Sequence, residues 1–294
     1  MPKFIMLVGL PACGKSTWAR YYVKNHPHFV ILSSDAIREE LYGDESIQGD
    51  PNVIFGKMRS RTLQELRKGN SVVYDATNIC FKDRKGILNS VNKELPEVWI
   101  TGVVFATPVE ICKEWNQRRM RSVPDFVYDK MLHRWQTPFD GEGFDSILVV
   151  NPGLSSYDPE QYKLDIVEKV KAFGDQKNPH HTLSLFDHCQ KCGEIAFEKY
   201  GYNFPATIAA TIHDYGKIYT QSFDEAGVAH YYQHESYSAY LALNMGFSLE
   251  VSQLVCYHMM PYAYKGGEAT WRARLGETLW SLIEMLHDCD VRAH

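Results

Sequence analysis

Residues 4–19, FIMLVGLPACGKSTWA, constrain this chain more than any other stretch. An apolar run, Phe4 to Val8, ends at Gly9, and Gly14-Lys15-Ser16-Thr17 then completes the spacing G-x-x-x-x-G-K-[ST] without a gap. One local architecture satisfies it: a buried strand, a tight loop and a helix start. Gly9 and Gly14 let the backbone turn and bring its N–H groups close to phosphate oxygens, and the helix directs its positive end at the same point. Gly9, Ala12, Cys13, Gly14, Lys15, Ser16 and Thr17 supply the cradle. Lys15 reaches the β/γ-phosphates as a point charge, and the Ser16 hydroxyl holds Mg²⁺. The motif therefore implies that ATP or another nucleoside triphosphate binds with Mg²⁺.

A chain of 294 residues has material for two domains of ordinary size, and 45% apolar with 23% charged residues fits a soluble globular protein. No apolar run approaches the roughly 18 residues of a membrane span, and no cleavable signal pattern opens the chain, so no membrane association and a cytoplasmic location are expected. Seven cysteines, an odd number spread over both halves, suit a reducing compartment better than a disulfide framework. Cys189 and Cys192 have C-x-x-C spacing but no second pair to complete a zinc site, and read as two small residues on a helix. The net charge of −5 excludes a protein that coats nucleic acid non-specifically. It is unevenly divided. Residues 1–150 hold 20 basic and 18 acidic residues, net +2, and residues 151–294 hold 11 and 18, net −7. An acidic second half fits a cation site at least as well as a polyanion platform.

In the first half, strands are expected at 29–32, 71–74, 99–105 and 147–150, with helices at 16–24, after Ser34-Asp35, over 52–69, from Lys82-Asp83-Arg84, from about Pro108 and over 127–135. Ser34 or Asp35 has the chemistry of a helix cap. Position gives Asp35 a second reading: neighbouring parallel strands share a C-terminal rim, which would set it facing the phosphates held by Lys15. A carboxylate there accepts the proton of an attacking hydroxyl, and Arg38, one helical turn on, grips an anionic group of the acceptor. Asp75 ends the next strand on the same rim and would orient Mg²⁺ through water. Arg118, Arg119 and Arg121, closed by Val123-Pro124, exceed what a helix C-terminus needs to balance its dipole.

Gly9 to Ser16 followed by Asp35-x-x-Arg38 resembles the P-loop polynucleotide 5′-kinase family, whose members move the γ-phosphate of a nucleoside triphosphate to a 5′-hydroxyl end of DNA or RNA. The resemblance implies an α/β P-loop kinase domain, Asp35 as general base, Arg38 on the acceptor phosphate, and a lid arginine over the transferring phosphoryl group. Aligned by the Val-Pro step, Arg118 takes that part, with Arg119 and Arg121 as alternatives. Family members also carry a step similar to Asp75-Ala76-Thr77-Asn78.

Composition shifts after residue 151. Residues 152–177 read as a Pro/Gly/Ser/Tyr-rich linker with an amphipathic helix at 164–173, and strand-like runs stop. Nine of the twelve histidines lie beyond residue 179. A first helix over 181–188 carries Asp187 and His188, a second carries His213-Asp214 and Gly216-Lys217, later ones carry His234-Glu235 and Tyr257-His258, and the end carries His287-Asp288-Cys289-Asp290. An adjacent His-Asp pair cannot enter an apolar core unless both polar groups are satisfied, and a shared divalent cation satisfies both. The series resembles the HD phosphohydrolase superfamily, an all-helical domain in which a His, a His-Asp pair and a distal Asp bind metal. That resemblance implies His188, His213, Asp214 and Asp290 as ligands, Asp290 being preferred to Asp288. It places His234 and His258 as ligands of a second metal or as contacts to the substrate phosphate, and Lys217 at the leaving phosphate. Mixed His and carboxylate ligands suit Mn²⁺, Fe²⁺, Co²⁺, Ni²⁺ or Zn²⁺, which lower the pKa of a bound water and draw charge from a phosphoryl oxygen.

The expected organisation is a P-loop kinase domain at 1–151, the linker, and an all-α HD domain at 178–294. One module adds phosphate to a hydroxyl and the other removes a phosphoester. A broken RNA or DNA strand with a 5′-hydroxyl and a 2′,3′-cyclic phosphate or 3′-phosphate needs both, which implies an end-healing enzyme that hands its product to a ligase. A small-molecule kinase fused to a nucleotide phosphohydrolase is the alternative, and a nucleotide-sensing regulator a second.

Overall fold

In the computed structural model, which describes residues 1–179, 182–201, 204–263 and 268–293, the chain divides into two units. The first comprises residues 1–128 and 138–153, the second residues 129–137 and 154–294.

The first unit is a parallel sheet flanked by helices. In chain order it runs β1 (Lys3–Val8), α1 (Lys15–Asn25), β2 (Phe29–Ser33), α2 (Ser34–Tyr42), α3 (Pro51–Arg67), β3 (Ser71–Asp75), α4 (Phe81–Glu94), β4 (Trp99–Phe105), α5 (Val109–Gln117), the first residues of α6 (Phe126–Leu132) and β5 (Ser146–Val150). The strands lie in the order β2-β3-β1-β4-β5, every neighbouring pair parallel. A central strand of such a sheet is covered on both faces, which is why β1 is continuously apolar rather than alternating: Phe4, Met6, Leu7 and Val8 are wholly buried. Registration of Ser33 with Asp75 brings the ends of β2 and β3 level. The cap of α2 is Ser33, whose side chain accepts from the Asp35 amide at 3.2 Å, and not Ser34 or Asp35 as the sequence suggested. A serine at the last strand position still has extended backbone, as a cap requires, and this leaves the Asp35 carboxylate outside the capping role.

The second unit contains α7 (Pro159–Phe173), α8 (Leu185–Tyr200), α9 (Pro205–Ile212), α10 (Lys217–Thr220), the short antiparallel pair β6 (Ser222–Phe223) and β7 (Ala229–His230), α11 (His234–Asn244), α12 (Leu249–Tyr257), α13 (Met260–Ala263), α14 (Glu268–Leu275) and α15 (Glu277–Arg292). The small hairpin corrects the expectation that strands stop at residue 151. So does α7, which starts five residues before the expected 164 because Asp158 caps it through the Glu160 amide and Pro159 occupies its first position. With Ile166 and Val170 buried and α7 packed on α8, residues 154–177 group with the second unit rather than forming a separate linker. Residues 129–137 join it too: the Trp135 ring meets Tyr240 edge-on at 4.8 Å, and the Thr137 carbonyl accepts from the Tyr257 hydroxyl at 2.8 Å. His181, where the first histidine-bearing helix was expected to begin, lies outside the described residues, and α8 starts at Leu185 after a Ser184 cap. Cys189 and Cys192 are both wholly buried on α8.

Candidate functional site

Each unit gathers the residues singled out in its own part of the sequence. In the first, the loop between β1 and α1 carries two left-handed residues, Ala12 (φ 56°) and Gly14 (φ 99°), on either side of Cys13. That alternation curls successive N–H groups into one concavity. A Cβ on Gly14 would meet Pro152 at 3.0 Å as well as a disfavoured φ. Lys15 is buried, its ammonium lying across the loop and donating to the carbonyls of Gly9 at 3.0 Å and Leu10 at 2.6 Å, with Cys13 Sγ at 3.6 Å. The loop is tied to its surroundings from three sides. Thr107 Oγ1 donates to the Cys13 carbonyl at 2.9 Å, the Gly9 amide donates to the Thr77 carbonyl at 2.9 Å, and Asn78 Nδ2 donates to the Leu7 carbonyl at 2.7 Å.

Asp75 ends β3 beside this loop. Burial pushes its carboxyl up, against the pull of Lys15 and a hydrogen bond with Ser16, and the charge of Asp35 adds to the rise. Ser16 and Thr17 are exposed at the start of α1. Asp35 holds Arg38 Nη1 at 2.7 Å, and Arg121 Nη1 stands 3.8 Å from the same Asp35 oxygen and 3.8 Å from Glu45 Oε1. The Arg38 Nε is buried with no hydrogen-bond partner among the described residues. Of the three clustered arginines, the one brought to Asp35 is thus Arg121. Arg118 extends into solvent at the end of α5 and pairs with Glu114 one turn earlier, and Arg119 is also exposed. Sequence reasoning also passed over Arg84, which is wholly buried, grips both oxygens of Glu142 at 2.6 Å and donates to the Asn78 carbonyl at 3.0 Å.

The second unit brings His188, His213, Asp214, His234, His258 and Asp290 into one buried cluster from α8, the segment after α9, the start of α11, the end of α12, and α15. His213 and Asp214 do not lie within a helix, as the sequence suggested. The helix stops at Ile212, and tight turns follow, with the Tyr215 amide on the Ile212 carbonyl and the Lys217 amide on the Asp214 carbonyl. His213 keeps helical dihedrals (φ −55°, ψ −32°) through this tightened turn, and both side chains reach the cluster.

Asp214 is the hub. Its Oδ2 lies 3.6 Å from His188 Nε2, 3.5 Å from His213 Nε2 and 2.6 Å from Lys217 Nζ, and its Oδ1 lies 2.9 Å from His234 Nε2 and 3.8 Å from His258 Nε2. Asp290 Oδ1 closes the first side, 3.1 Å from His188 Nε2 and 3.4 Å from His213 Nε2. The Nδ1 atoms of His213, His234 and His258 sit 2.7–2.9 Å from the carbonyls of Ala210, Tyr231 and Val255. A carbonyl only accepts, so each Nδ1 carries a proton and each Nε2 is the atom that faces the cluster.

Two potential ligand groups result: His188, His213 and Asp214, and Asp214, His234 and His258, each with its ligand atoms within 4.8 Å of one another. The donors fit a divalent transition metal, being imidazoles and carboxylates converging from fixed backbones. His234 Nε2 faces His258 Nε2 at 3.3 Å, a contact that two lone pairs make only with a proton or cation between them. Burial opposes charge here, yet Asp214 and Asp290 push His213 up to about 9. Burial and the neighbouring His213 and His234 take His258 down to about 3. Asp290, not Asp288, enters the cluster: Asp288 pairs outside with Lys199 and Arg292, each at 3.1 Å. Tyr262 and Gln176 are the members that sequence did not mark. The Tyr262 hydroxyl donates to Asp290 Oδ2 at 2.8 Å, and Gln176 Oε1 accepts from Lys217 Nζ at 2.8 Å. Nothing in their local spacing distinguishes either from an ordinary polar residue.

Comparison with known proteins addresses the first unit. Residues 4–138 match the family profile described as an AAA domain. L-seryl-tRNA(Sec) kinase of Methanococcus maripaludis is 28% identical over 144 residues, covering 46% of this chain and 52% of that protein. Protein kti12 of Schizosaccharomyces pombe is 25% identical over 158 residues, covering 49% and 55%. The chain thus spans about half the length of the curated relatives it matches. A chain in the structure of the Pnkp1/Rnl/Hen1 RNA repair complex is 25% identical, with a TM-score of 0.39 and coverage of 44% of this chain and 42% of that one. Among the described residues no helix is long and apolar enough to cross a membrane. Phosphate loop, strand order and family match agree that the first unit has the α/β fold of a P-loop kinase domain, which implies ATP with Mg²⁺, while the second unit is largely helical.

Proposed function

We propose that the chain is a bifunctional nucleic-acid end-healing enzyme: a 5′-hydroxyl kinase in the first unit and a metal-dependent 3′-phosphatase or 2′,3′-cyclic phosphodiesterase of the HD type in the second. The observation that carries the reading is that a single chain holds two separate polar centres, a phosphate-type loop around Lys15 and a buried His/Asp cluster around Asp214. One relative is named as a kinase of L-seryl-tRNA(Sec), an acceptor borne on nucleic acid, which favours a nucleic-acid acceptor over a free small molecule.

In the kinase, loop amides and Lys15 would hold the β/γ-phosphates, and Ser16 and Asp75 would hold Mg²⁺, which supplies positive charge for the phosphate oxygens. Asp35 accepts the proton of the 5′-hydroxyl as its oxygen bonds to the γ-phosphorus, and the bond from that phosphorus to the β-phosphate oxygen breaks to release the diphosphate. Arg38 and Arg121 converge on Asp35. They supply the positive charge for the acceptor phosphate and for the phosphoryl group in transit, with Arg121 in the part first assigned to Arg118.

In the esterase, His188, His213, Asp214 and Asp290 would hold one divalent cation, and Asp214 with His234 and His258 a second. Such a cation supplies a more acidic bound water and a Lewis acid for the phosphoryl oxygen. Lys217, fixed between Asp214 and Gln176, holds a positive charge for the departing phosphate. Tyr262 orients Asp290 from its second oxygen.

The test uses the full chain with 5′-hydroxyl and 3′-phosphate oligonucleotides and a series of Mn²⁺, Fe²⁺, Co²⁺, Ni²⁺ and Zn²⁺. Label from the γ-phosphate is expected on the 5′ end, and metal-dependent phosphate release from the 3′ end. Lys15→Ala and Asp35→Ala remove only the first activity, His213→Ala and Asp214→Ala only the second. Transfer to free nucleosides alone would overturn the polynucleotide reading, and absence of ester hydrolysis with every metal would overturn the second half.

A further inference from the structure

The hairpin of β6 and β7 leads straight into the metal cluster, and one of its faces has no role in the chemistry above. Cross-strand pairing sets Ser222 opposite His230 and Phe223 opposite Ala229, so side chains alternate between two faces. Ala229 and Tyr231 turn inward and are buried. His230 and Tyr232 turn the other way and stack on each other, ring centroids 5.5 Å apart and planes within 4°. The His230 ring is held by Asp224 at 3.1 Å, and Tyr232 is 68% exposed.

A flat, oriented pair of rings in water is an unusual use of a large apolar surface unless another planar group covers it. Gln233 adopts a left-handed backbone (φ 62°) without being glycine. It converts the extended strand into α11 between Tyr232 and the candidate ligand His234. Two residues along the chain place Tyr232 Cα within about 7 Å of His234 Cα.

We infer that the His230–Tyr232 stack is a platform for the nucleobase of the 3′-terminal nucleotide, holding it while its phosphate enters the cluster; this deepens the phosphoesterase reading proposed above and rests on it. Charge selects the occupant. Residues 151–294 carry net −7, which repels a long phosphate backbone, whereas stacking on an aromatic ring needs no positive charge. The platform therefore grips one terminal base rather than a run of backbone.

The test compares a 3′-phosphate oligonucleotide with the same strand ending in an abasic 3′-phosphate, on the full chain with Mn²⁺. Tyr232→Ala is expected to raise KM for the base-bearing strand roughly 5- to 150-fold, the range set by loss of one base–aromatic stack, and to leave the abasic strand unchanged. Tyr232→Phe keeps the ring and should match the unsubstituted protein. Phe223→Ala, on the opposite hairpin face, should also match it. Equal losses on both strands, or none on either, would overturn the platform. A second readout stands apart from activity: a strand carrying 4-thiouridine at its 3′ end, irradiated with the full chain, should crosslink to the peptide containing His230 and Tyr232. Crosslinks in the second unit confined to other peptides would overturn the inference even if the protein hydrolysed esters normally. Crosslinking at the stack without ester hydrolysis would retain the platform and remove the esterase reading instead.

Discussion

Replacing Arg84 by Met should unfold the first unit more readily than any surface change. The guanidinium and the Glu142 carboxylate are both wholly buried and meet through two 2.6 Å bonds. Burial pushes the Glu142 carboxyl up despite Arg84, so its charge is tolerated there only because of the partner. Removing one member of such a pair leaves an uncompensated buried charge and costs roughly 3–5 kcal/mol. For a unit of this size each kcal/mol shifts Tm by about 2–4 °C, giving a fall of ~6–20 °C. Glu142→Leu should cost a similar amount, for the reciprocal reason. The Arg84→Met/Glu142→Leu double variant removes both charges at once and should recover most of the loss, so the two single effects will sum to several kcal/mol more than the double. The consequence reaches the phosphate loop: Arg84 holds the Asn78 carbonyl, and Asn78 Nδ2 holds the Leu7 carbonyl two residues before Gly9. Scanning calorimetry of the full chain would read the first unit's transition in all four proteins, with a nucleotide-binding titration alongside. A single-variant loss below about 1 kcal/mol, or a double variant as unstable as the sum of the singles, would refute the reasoning.

Gly216→Ala should disturb the His/Asp cluster, because the added Cβ would stand 2.2 Å from the His234 carbonyl oxygen and 2.7 Å from the Ser238 amide, both backbone atoms; isothermal titration with Mn²⁺, one of the metals proposed for it, should show at least a tenfold loss in a protein whose first unit is unchanged. Asp75→Asn should raise the first unit's Tm. Burial lifts the folded pKa of Asp75 above the unfolded value of about 3.9, so the native carboxylate is penalised once pH exceeds both, and the substitution removes that penalty. The advantage should be fully present near pH 7 and vanish as pH falls below about 3.9, where both side chains are neutral; equal Tm values at pH 7 would contradict it. Arg121→Ala should reduce phosphoryl transfer about 10²–10³-fold, the loss associated with one preorganised charge donor, with Arg118→Ala within a few-fold of the unsubstituted enzyme. The reverse ranking in a steady-state kinase assay would return the lid role to Arg118.

Much of the first unit could be read in advance because its signals are local. A loop with fixed glycine spacing, four further apolar runs and the turn residues between them specify a parallel sheet without long-range information. What stayed hidden depends on chain bending or distance. The reach of Arg121 to Asp35 follows from how the 118–123 segment turns, and the Arg84–Glu142 pair joins residues 58 positions apart. Ser33 took the capping role because strand and helix abut with no residue between them, so the cap had to be the last residue of the strand.

The second unit was legible in its residue types but not in its backbone. Histidines and aspartates recurring on helical segments announce a cluster, yet their sequence order cannot say that a single carboxylate serves both sides of it. In the fold Asp214 projects Oδ2 toward His188 and His213 and Oδ1 toward His234. Gly216 lets α11 come that close: a Cβ there would stand 2.2 Å from the His234 carbonyl oxygen, so the approach that puts His234 beside Asp214 Oδ1 requires the glycine.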